Sequence, residues 1–277
     1  METGPVLETC LAKSLDDQAA GLRRIFAAET VRVIALVGGK STTISTALAI
    51  ALAGQGKKVL LVDEQMFAGK SHPLMGKPFS ADINDVLKGK KSLREIVRNI
   101  AEISLLPGVA DGMAEDTGAG RVGLLDAFHE LAIGFDFVIV NASDTQYRGV
   151  GFSLAASEVM VLCDESDDGI MSAYRQMKVL TQLGGDRRFM MMFHGEGGAF
   201  AKRLFHKLTQ VCKKYLKLMP EFAGVLPKDQ LLAAQMLEMV ALDMMHWPVP
   251  GEGDTSRFEV FMCRLLTAKG NSNLAAA

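Results

Sequence analysis

The chain has 277 residues, 49% of them hydrophobic, with 30 Lys and Arg set against 32 Asp and Glu for a formal net charge of −2. That length suits one sizeable α/β domain or two small ones, and the balanced charge removes any global case for a nucleic-acid or membrane-coating protein. No apolar run has the length of a transmembrane helix and the start carries no basic-then-apolar leader. Cys10, Cys163, Cys212 and Cys263 are scattered without CxxC or metal spacing, which reads as free thiols in a reducing cytosol.

Residues 1–30 precede the first strand. Within them Asp16–Phe26 reads as a short helix started near Asp16 or Asp17, with Leu22, Ile25 and Phe26 on one face, and the pattern alone favours a helix docked on the body. Val31–Val37 is a short β-rich run. Gly38-Gly39-Lys40-Ser41-Thr42-Thr43 then opens a helix whose Ile44, Leu48 and Leu52 recur at helical spacing. Gly54-Gln55-Gly56 stops it, and Val59–Val62 is a second buried strand ending at Asp63. A Gly-Lys-Ser turn between strand and helix suits phosphate. Small residues let backbone N–H groups approach, the helix N-terminus is partly positive, and a lysine neutralises oxygens. Gly38, Gly39, Lys40, Ser41 and Thr42 are therefore the candidate nucleotide contacts, with Ser41 the candidate Mg²⁺ ligand. An intact phosphate loop also has a glycine five residues before Gly39, where this chain has Ile34. Half a phosphate loop and a glycine turn that merely caps a helix both remain open.

Met66–Ser80 reads as a loop, Asp82–Leu87 and Leu93–Val97 as short helices, Ile103–Leu106 as a strand and Gly108–Gly120 as a loop. Leu124–Ile133 is helical. Phe135–Val140, Val159–Cys163 and Phe189–Phe193 are continuous apolar strands of the parallel-sheet kind, with the helix Ser172–Leu183 between the last two. Lys202–Leu218 is a helix with the apolar stripe Leu204, Leu208, Val211 and Tyr215, and Val225–Leu226 is a last short strand before the helix Asp229–Val240. Strands alternating with helices predict an α/β fold: a doubly wound, mostly parallel sheet in one domain with two helical tails.

In this order the motifs resemble the MinD/ParA class of deviant-Walker P-loop ATPases, and within it the flagellar-number regulators of the FlhG/FleN subgroup. Asp17-Gln18-Ala19-Ala20-Gly21-Leu22-Arg23 matches the subgroup's DQAxxLR activator motif. Lys57–Asp63 matches its GKKVLLID strand, Asp82–Gly89 its DVL.G helix, Leu105-Leu106-Pro107-Gly108 its LLPG strand end, Ser172, Ala173, Tyr174 and Lys178 the helix after its fourth strand, and Pro227 with Asp229 its IPxD turn. The resemblance implies a domain plan of 1–30 as activator segment, 31–246 as the P-loop NTPase-like domain and 247–277 as connector and amphipathic tail. It also implies ATP and Mg²⁺ as cofactors, with Lys40 and Asp63 catalytic and Ser41 and Asp63 at the metal. A signal-recognition-particle-type GTPase resembling FlhF is the implied partner, and a nucleotide-dependent homodimer the implied assembly. Gln18 would assist the partner's catalysis in trans, Leu22 would anchor, and Asp17 and Arg23 would complete the contact.

The departures fall on the chemistry. The family's loop reads KGGVGK[ST]T, and its signature lysine falls on Ala35; the acidic pair after the second strand becomes Asp63-Glu64-Gln65, and the strand Phe137–Val140 ends in Asn141 instead of Asp, with Asp144 three residues on. The family's base-reading Asn appears as His194. Phosphoryl transfer depends on charge placement around phosphate and metal, so each loss costs orders of magnitude in rate. The expectation is weak nucleotide binding with little or no hydrolysis, beside two alternatives: a working positioning ATPase and a nucleotide-free scaffold.

In the C-terminal segment Phe258, Phe261, Met262 and Leu265 share a helical face with Arg257, Arg264 and Lys269 on the polar side. Relatives carry an amphipathic membrane-targeting helix in this place, so peripheral attachment at the inner membrane of a cytoplasmic protein is expected, against the plainer reading of a helix packed on the body. Trp247–Gly253 reads as a flexible connector. Lys202, Arg203, Lys207, Lys213, Lys214 and Lys217 give one helix a basic face; a solvated face or a docking surface for an acidic partner is favoured over DNA. Met190, Met191, Met192, Met236, Met239, Met244 and Met245 are expected to fill the core. His194, His206 and His246 lack ligand spacing.

Overall fold

The apolar runs become the strands of one sheet in the computed structural model, which describes residues 31–66, 68–108, 118–142, 151–182, 186–247 and 257–267. In chain order the strands are β1 (Arg32–Gly38), β2 (Val59–Asp63), β3 (Arg98–Ile100), β4 (Ile103–Pro107), β5 (Phe137–Ala142), β6 (Glu158–Asp164), β7 (Arg188–His194) and β8 (Glu221–Leu226). They lie in the order β3-β4-β2-β5-β1-β6-β7-β8. All neighbours are parallel except β3 and β4. The fold is the expected α/β doubly wound, mostly parallel sheet.

Side chains of a strand alternate between faces, and β1 shows how the layers are filled. Ile34 and Leu36 point into a core shared with the helices α1 (Ser41–Gly54) and α8 (Gln230–His246). Val33 and Ala35 point into the opposite core, built with α2 (Ile83–Leu87), α3 (Leu93–Ile96), α4 (Gly118–Ala132), α5 (Phe152–Ala155) and α9 (Arg257–Thr267). Val37 belongs to a third cluster, under α6 (Asp167–Gln182) and α7 (Gly198–Tyr215). Strand interiors such as Val138-Ile139-Val140 are fully buried, which is why they carry no polar alternation.

Several elements differ from the sequence reading. Strand β3 is a three-residue antiparallel edge joined to β4 by Ala101 and Glu102, both at positive φ; its Arg-Asn-Ile sequence has no strand pattern. The last strand runs over six residues, not two, because it is an edge of half-buried residues, and α4 begins at Gly118 inside the expected loop. On α7 the buried stripe is Ala201, Leu204, Leu208 and Cys212, while Val211 and Tyr215 are exposed. Helical spacing allowed either set, and the small Cys212 faces the sheet. Met239 is likewise exposed, whereas Met190, Met191, Met192 and Met244 fill the core.

The C-terminal helix is the largest correction. Phe258, Phe261, Met262 and Leu265, expected to face lipid, are buried against the body. Phe258 and Phe261 stack at 6.1 Å between centroids, and Phe261 lies 6.2 Å from Phe128, which is itself 4.7 Å from Phe152. Arg264 donates to Ser157 Oγ at 3.0 Å and to the Asp186 carbonyl at 3.1 Å. An amphipathic face looks the same in sequence whether lipid or protein covers it; here protein covers it. Among the described residues no helix is long and apolar enough to cross a membrane.

Candidate functional site

Parallel strands deliver their C-terminal ends to one edge of the sheet, where open α/β folds place ligands. The pairing puts Asp63 of β2 beside Asn141 of β5, which in turn lies beside Leu36 of β1. Helix α1 starts at the same edge and contributes Ser41 and Thr42.

The connection from β1 to α1 is only Gly39 and Lys40. Gly38, expected in the phosphate loop, is a strand residue in register with Leu162. Its φ is +115°, and a Cβ there would meet the Leu162 carbonyl oxygen at 2.4 Å, so this position needs glycine for the close approach of β6. Gly39 is exposed. Two residues cannot wrap a phosphate chain as a full loop does. What remains is a helix start, whose first N–H groups have no intrahelical acceptor, with no side-chain cap. Lys40 stands in the left-handed region at φ 63°. Its ammonium lies 3.0 Å from His194 Nδ1 and 3.9 Å from Asp164 Oδ1, with the side chain half exposed. The pairing with Asp164 was not legible in sequence, since it depends on β1, β6 and β7 ending side by side.

Behind Lys40 lies a closed polar network. Ser41 Oγ donates to the Ala142 carbonyl at 2.9 Å. Asn141 Nδ2 donates to Asp63 Oδ1 at 2.7 Å and to Thr42 Oγ1 at 2.9 Å. Gln65 Nε2 lies 3.0 Å from Ser41 Oγ, 3.2 Å from Thr42 Oγ1 and 3.2 Å from Asn141 Oδ1. The amide orientations are fixed by the ion at the end of the chain: Asp63 accepts, so Asn141 presents NH₂ to it and its oxygen to Gln65, which must answer with NH₂. The Gln65 backbone N–H also donates to Asp63 Oδ1 at 3.0 Å.

Asp63 is wholly buried. Burial pushes its carboxyl up to about 6, opposed by the hydrogen bonds from the Gln65 N–H and the Asn141 amide. Its Oδ2 accepts no hydrogen bond among the described residues and lies 3.5 Å from His72 Nε2. His72 was not singled out by sequence; it sits in the Met66–Ser80 loop with no pattern around it. It is buried, its Nδ1 accepts from the Leu74 N–H at 3.2 Å, and its Nε2 is 3.3 Å from Thr46 Oγ1. Burial lowers its pKa, so the neutral ring is favoured with its proton on Nε2. The neighbouring Glu64 is pushed up to about 7 by burial, against hydrogen bonds from Ser153 and the Phe152 backbone.

The fit to Mg²⁺ can be judged from these donors. Mg²⁺ requires about six oxygens at roughly 2.0–2.1 Å. Here Ser41 Oγ already accepts from the Gln65 amide, Asp63 Oδ1 is taken by two N–H donors, and Asn141 adds no charge. The arrangement does not fit the metal. Among the described residues no group of three or more His, Cys, Asp or Glu is disposed to hold one.

The remaining expectations are separated from this edge or lie beyond description. Ala35, at the signature-lysine position, is buried in the sheet. Asp17, Gln18, Leu22, Arg23, Asp144 and Lys269 lie outside the described residues, as does most of the Trp247–Gly253 connector. The Lys202, Arg203, Lys207, Lys213, Lys214 and Lys217 side of α7 and the turn after it is exposed.

No family model matches the chain. It is 28% identical over 264 residues to antiactivator FleN of Pseudomonas aeruginosa, covering 85% of this chain and 94% of that one. Its fold is similar to the MinD cell division protein of Aquifex aeolicus (TM-score 0.58, 19% identity, 79% of this chain and 99% of that one). It is also similar to cobyrinic acid a,c-diamide synthase of Mycobacterium smegmatis, solved with a bound ATP analog and magnesium (TM-score 0.60, 22% identity, 80% and 98%). Sequence and fold thus agree with the motifs: the chain resembles MinD/ParA-type P-loop ATPases, and among them the FlhG/FleN subgroup.

Proposed function

We propose that this protein is a FleN-like regulator of flagellar number or placement that works through partner contacts, with a nucleotide site that binds weakly and turns over little or not at all. The observation that carries this reading is the likeness to antiactivator FleN along nearly the whole of both chains. The activator-like segment Asp17–Arg23 supports it: Gln18 would be offered to an FlhF-like GTPase, with Leu22 as apolar anchor and Asp17 and Arg23 as polar contacts. Low turnover is supported by the two-residue loop, by Asn141 in place of a second carboxylate, and by Gln65 in place of the water-orienting one. An amide cannot take a proton from water or supply charge to a metal. Lys40 and the N–H groups of Ser41 and Thr42 are the groups that would meet phosphate. The nucleotide-dependent homodimer that the family resemblance implies would be weakened here, because Ala35 is buried in the sheet and brings no lysine to a partner's nucleotide.

The test is GTP hydrolysis by an FlhF-like GTPase with the full chain, with residues 1–30 deleted, and with Gln18→Ala. Stimulation should be lost in both variants. Equal stimulation by all three would remove the activator role. Phosphate release from ATP by the chain alone should stay at background; clear turnover lost in Lys40→Ala would favour the working-ATPase alternative instead.

The closed amide network also supports a second reading, a scaffold that holds no nucleotide and acts only by docking. Saturable binding of a fluorescent ATP analogue, lost in Lys40→Ala, would exclude it. Membrane attachment would require α9 to leave the core, since its apolar face is covered; liposome sedimentation of the full chain tests this.

A further inference from the structure

We infer that the Gln65 carboxamide occupies the place of the divalent cation, so that this site excludes Mg²⁺ and any phosphate bound at Lys40 is bound without metal. The Mg²⁺ part stands on geometry alone; the phosphate part rests on the weak-binding reading above.

A cation site is a point on which several oxygens converge. Here Ser41 Oγ, Thr42 Oγ1 and Asn141 Oδ1 converge at 3.0–3.2 Å on one atom, Gln65 Nε2. That atom carries two hydrogens and partial positive charge, and its distances are those of N–H···O bonds. The hydroxyl hydrogen of Ser41 is spent on the Ala142 carbonyl and one of its two lone pairs accepts from the Gln65 amide, whose nitrogen stands where a metal shared with Thr42 and Asn141 would sit. Asn141 is turned by Asp63 to show its oxygen to Gln65. Gln65 is itself held from behind: its N–H is bonded to Asp63 Oδ1 and its carbonyl accepts from Lys70 Nζ at 2.9 Å. The two substitutions therefore act as a unit. Asn141 in place of a carboxylate removes the charge that would attract a cation, and Gln65 supplies N–H groups where the cation stood. Either change alone would leave an uncompensated group: an amide hydrogen against bound metal, or bare oxygens facing one another.

The pair also isolates Asp63. Its Oδ1 is satisfied by neutral donors and its Oδ2 lies beside His72, with both residues buried. Its charge is thus offset on one oxygen only, by two neutral N–H donors, while Oδ2 accepts no hydrogen bond among the described residues.

The experiment follows Mn²⁺, a spectroscopic substitute for Mg²⁺, by the loss of its free electron-paramagnetic-resonance signal on titration into the full chain. Wild type should show no saturable site, whereas Gln65→Glu, which sets a carboxylate among three oxygens, should bind Mn²⁺ and gain thermal stability when MgCl₂ is added. A wild-type site lost in Ser41→Ala would overturn the inference. So would a folded Gln65→Glu that ignores both ions. If that variant does not fold, wild type decides through binding of a fluorescent ATP analogue in MgCl₂ and in EDTA. Equal affinity within about twofold is expected, and a gain of about tenfold or more with Mg²⁺ overturns the inference. A chain that binds neither Mn²⁺ nor the analogue removes the nucleotide reading while upholding the exclusion of metal.

Discussion

Truncating Phe261 to alanine asks whether the C-terminal helix belongs to the core or only rests on it. The side chain is 1% exposed and packs against Phe128 and Phe258 at centroid distances of 6.2 and 6.1 Å. Removing a buried phenylalanine side chain costs about 3–5 kcal/mol. That is a large share of the roughly 5–15 kcal/mol that holds a domain folded. For a chain of this size each kcal/mol moves Tm by about 2–4 °C, so a drop of about 6–20 °C is expected. Phe258→Ala should cost a similar amount, and the double variant less than the sum, since the two rings touch. The assay is urea unfolding of the full chain followed by circular dichroism, with liposome sedimentation of the same proteins. A cost below about 1 kcal/mol, with lipid binding abolished, would refute the reasoning and restore the helix as a detachable membrane anchor.

Other expectations follow from the sheet edge. Ionising the Glu64 carboxyl is penalised in the folded state, because burial holds it at about 7 against an ordinary 4.5. Its favourable contribution is full below the ordinary value and lost as pH rises through about 7. Glu64→Gln should therefore flatten the pH dependence and stabilise the protein by up to about 3 kcal/mol above neutrality, read by urea unfolding at acid and alkaline pH; an unchanged slope would count against it. Gly38→Ala should cost more than about 2 kcal/mol, since the new methyl group meets the Leu162 carbonyl at a φ of +115°; thermal melting gives the answer. Lys40→Ala should leave stability within about 0.5 kcal/mol, its side chain being half exposed, while removing binding of a fluorescent ATP analogue. Loss of folding instead would mean that the contact with His194 is structural.

Much of the fold was legible because buried parallel strands and amphipathic helices leave opposite patterns. Val59–Val62 and Val138–Val140 have no polar alternation, since both faces are covered. What escaped were elements whose residues take their state from neighbours. The edge strand Arg98–Ile100 forms only because β4 turns back beside it. The short helix Phe152–Ala155 exists to seat Phe152 against Phe128. At the site, the Gly-Lys-Ser turn between strand and helix identified Lys40, Ser41 and Thr42, and the family resemblance added Asp63, Gln65 and Asn141 as positions of interest. Neither pointed to His72, which reaches Asp63 from a loop without periodicity, nor to Asp164 beside Lys40.

The sequence by itself determined the alternation of strand and helix, hence the parallel sheet with its site edge, and determined that carboxylates and a lysine expected there are missing. Periodicity is a local property and suffices for the sheet, whereas the missing groups are read by setting Ala35, Gln65 and Asn141 against the motifs of the family the chain resembles. Only the tertiary structure decided what the substitutions mean. Whether Gln65 and Asn141 leave a hole or close one depends on three oxygens from two separate elements, the start of α1 and the end of β5, meeting one nitrogen. Likewise the apolar face of Phe258, Phe261, Met262 and Leu265 is the same whichever medium covers it. That the medium is the protein's own core is set by Phe128 and Phe152, more than a hundred residues away in the chain and adjacent in space.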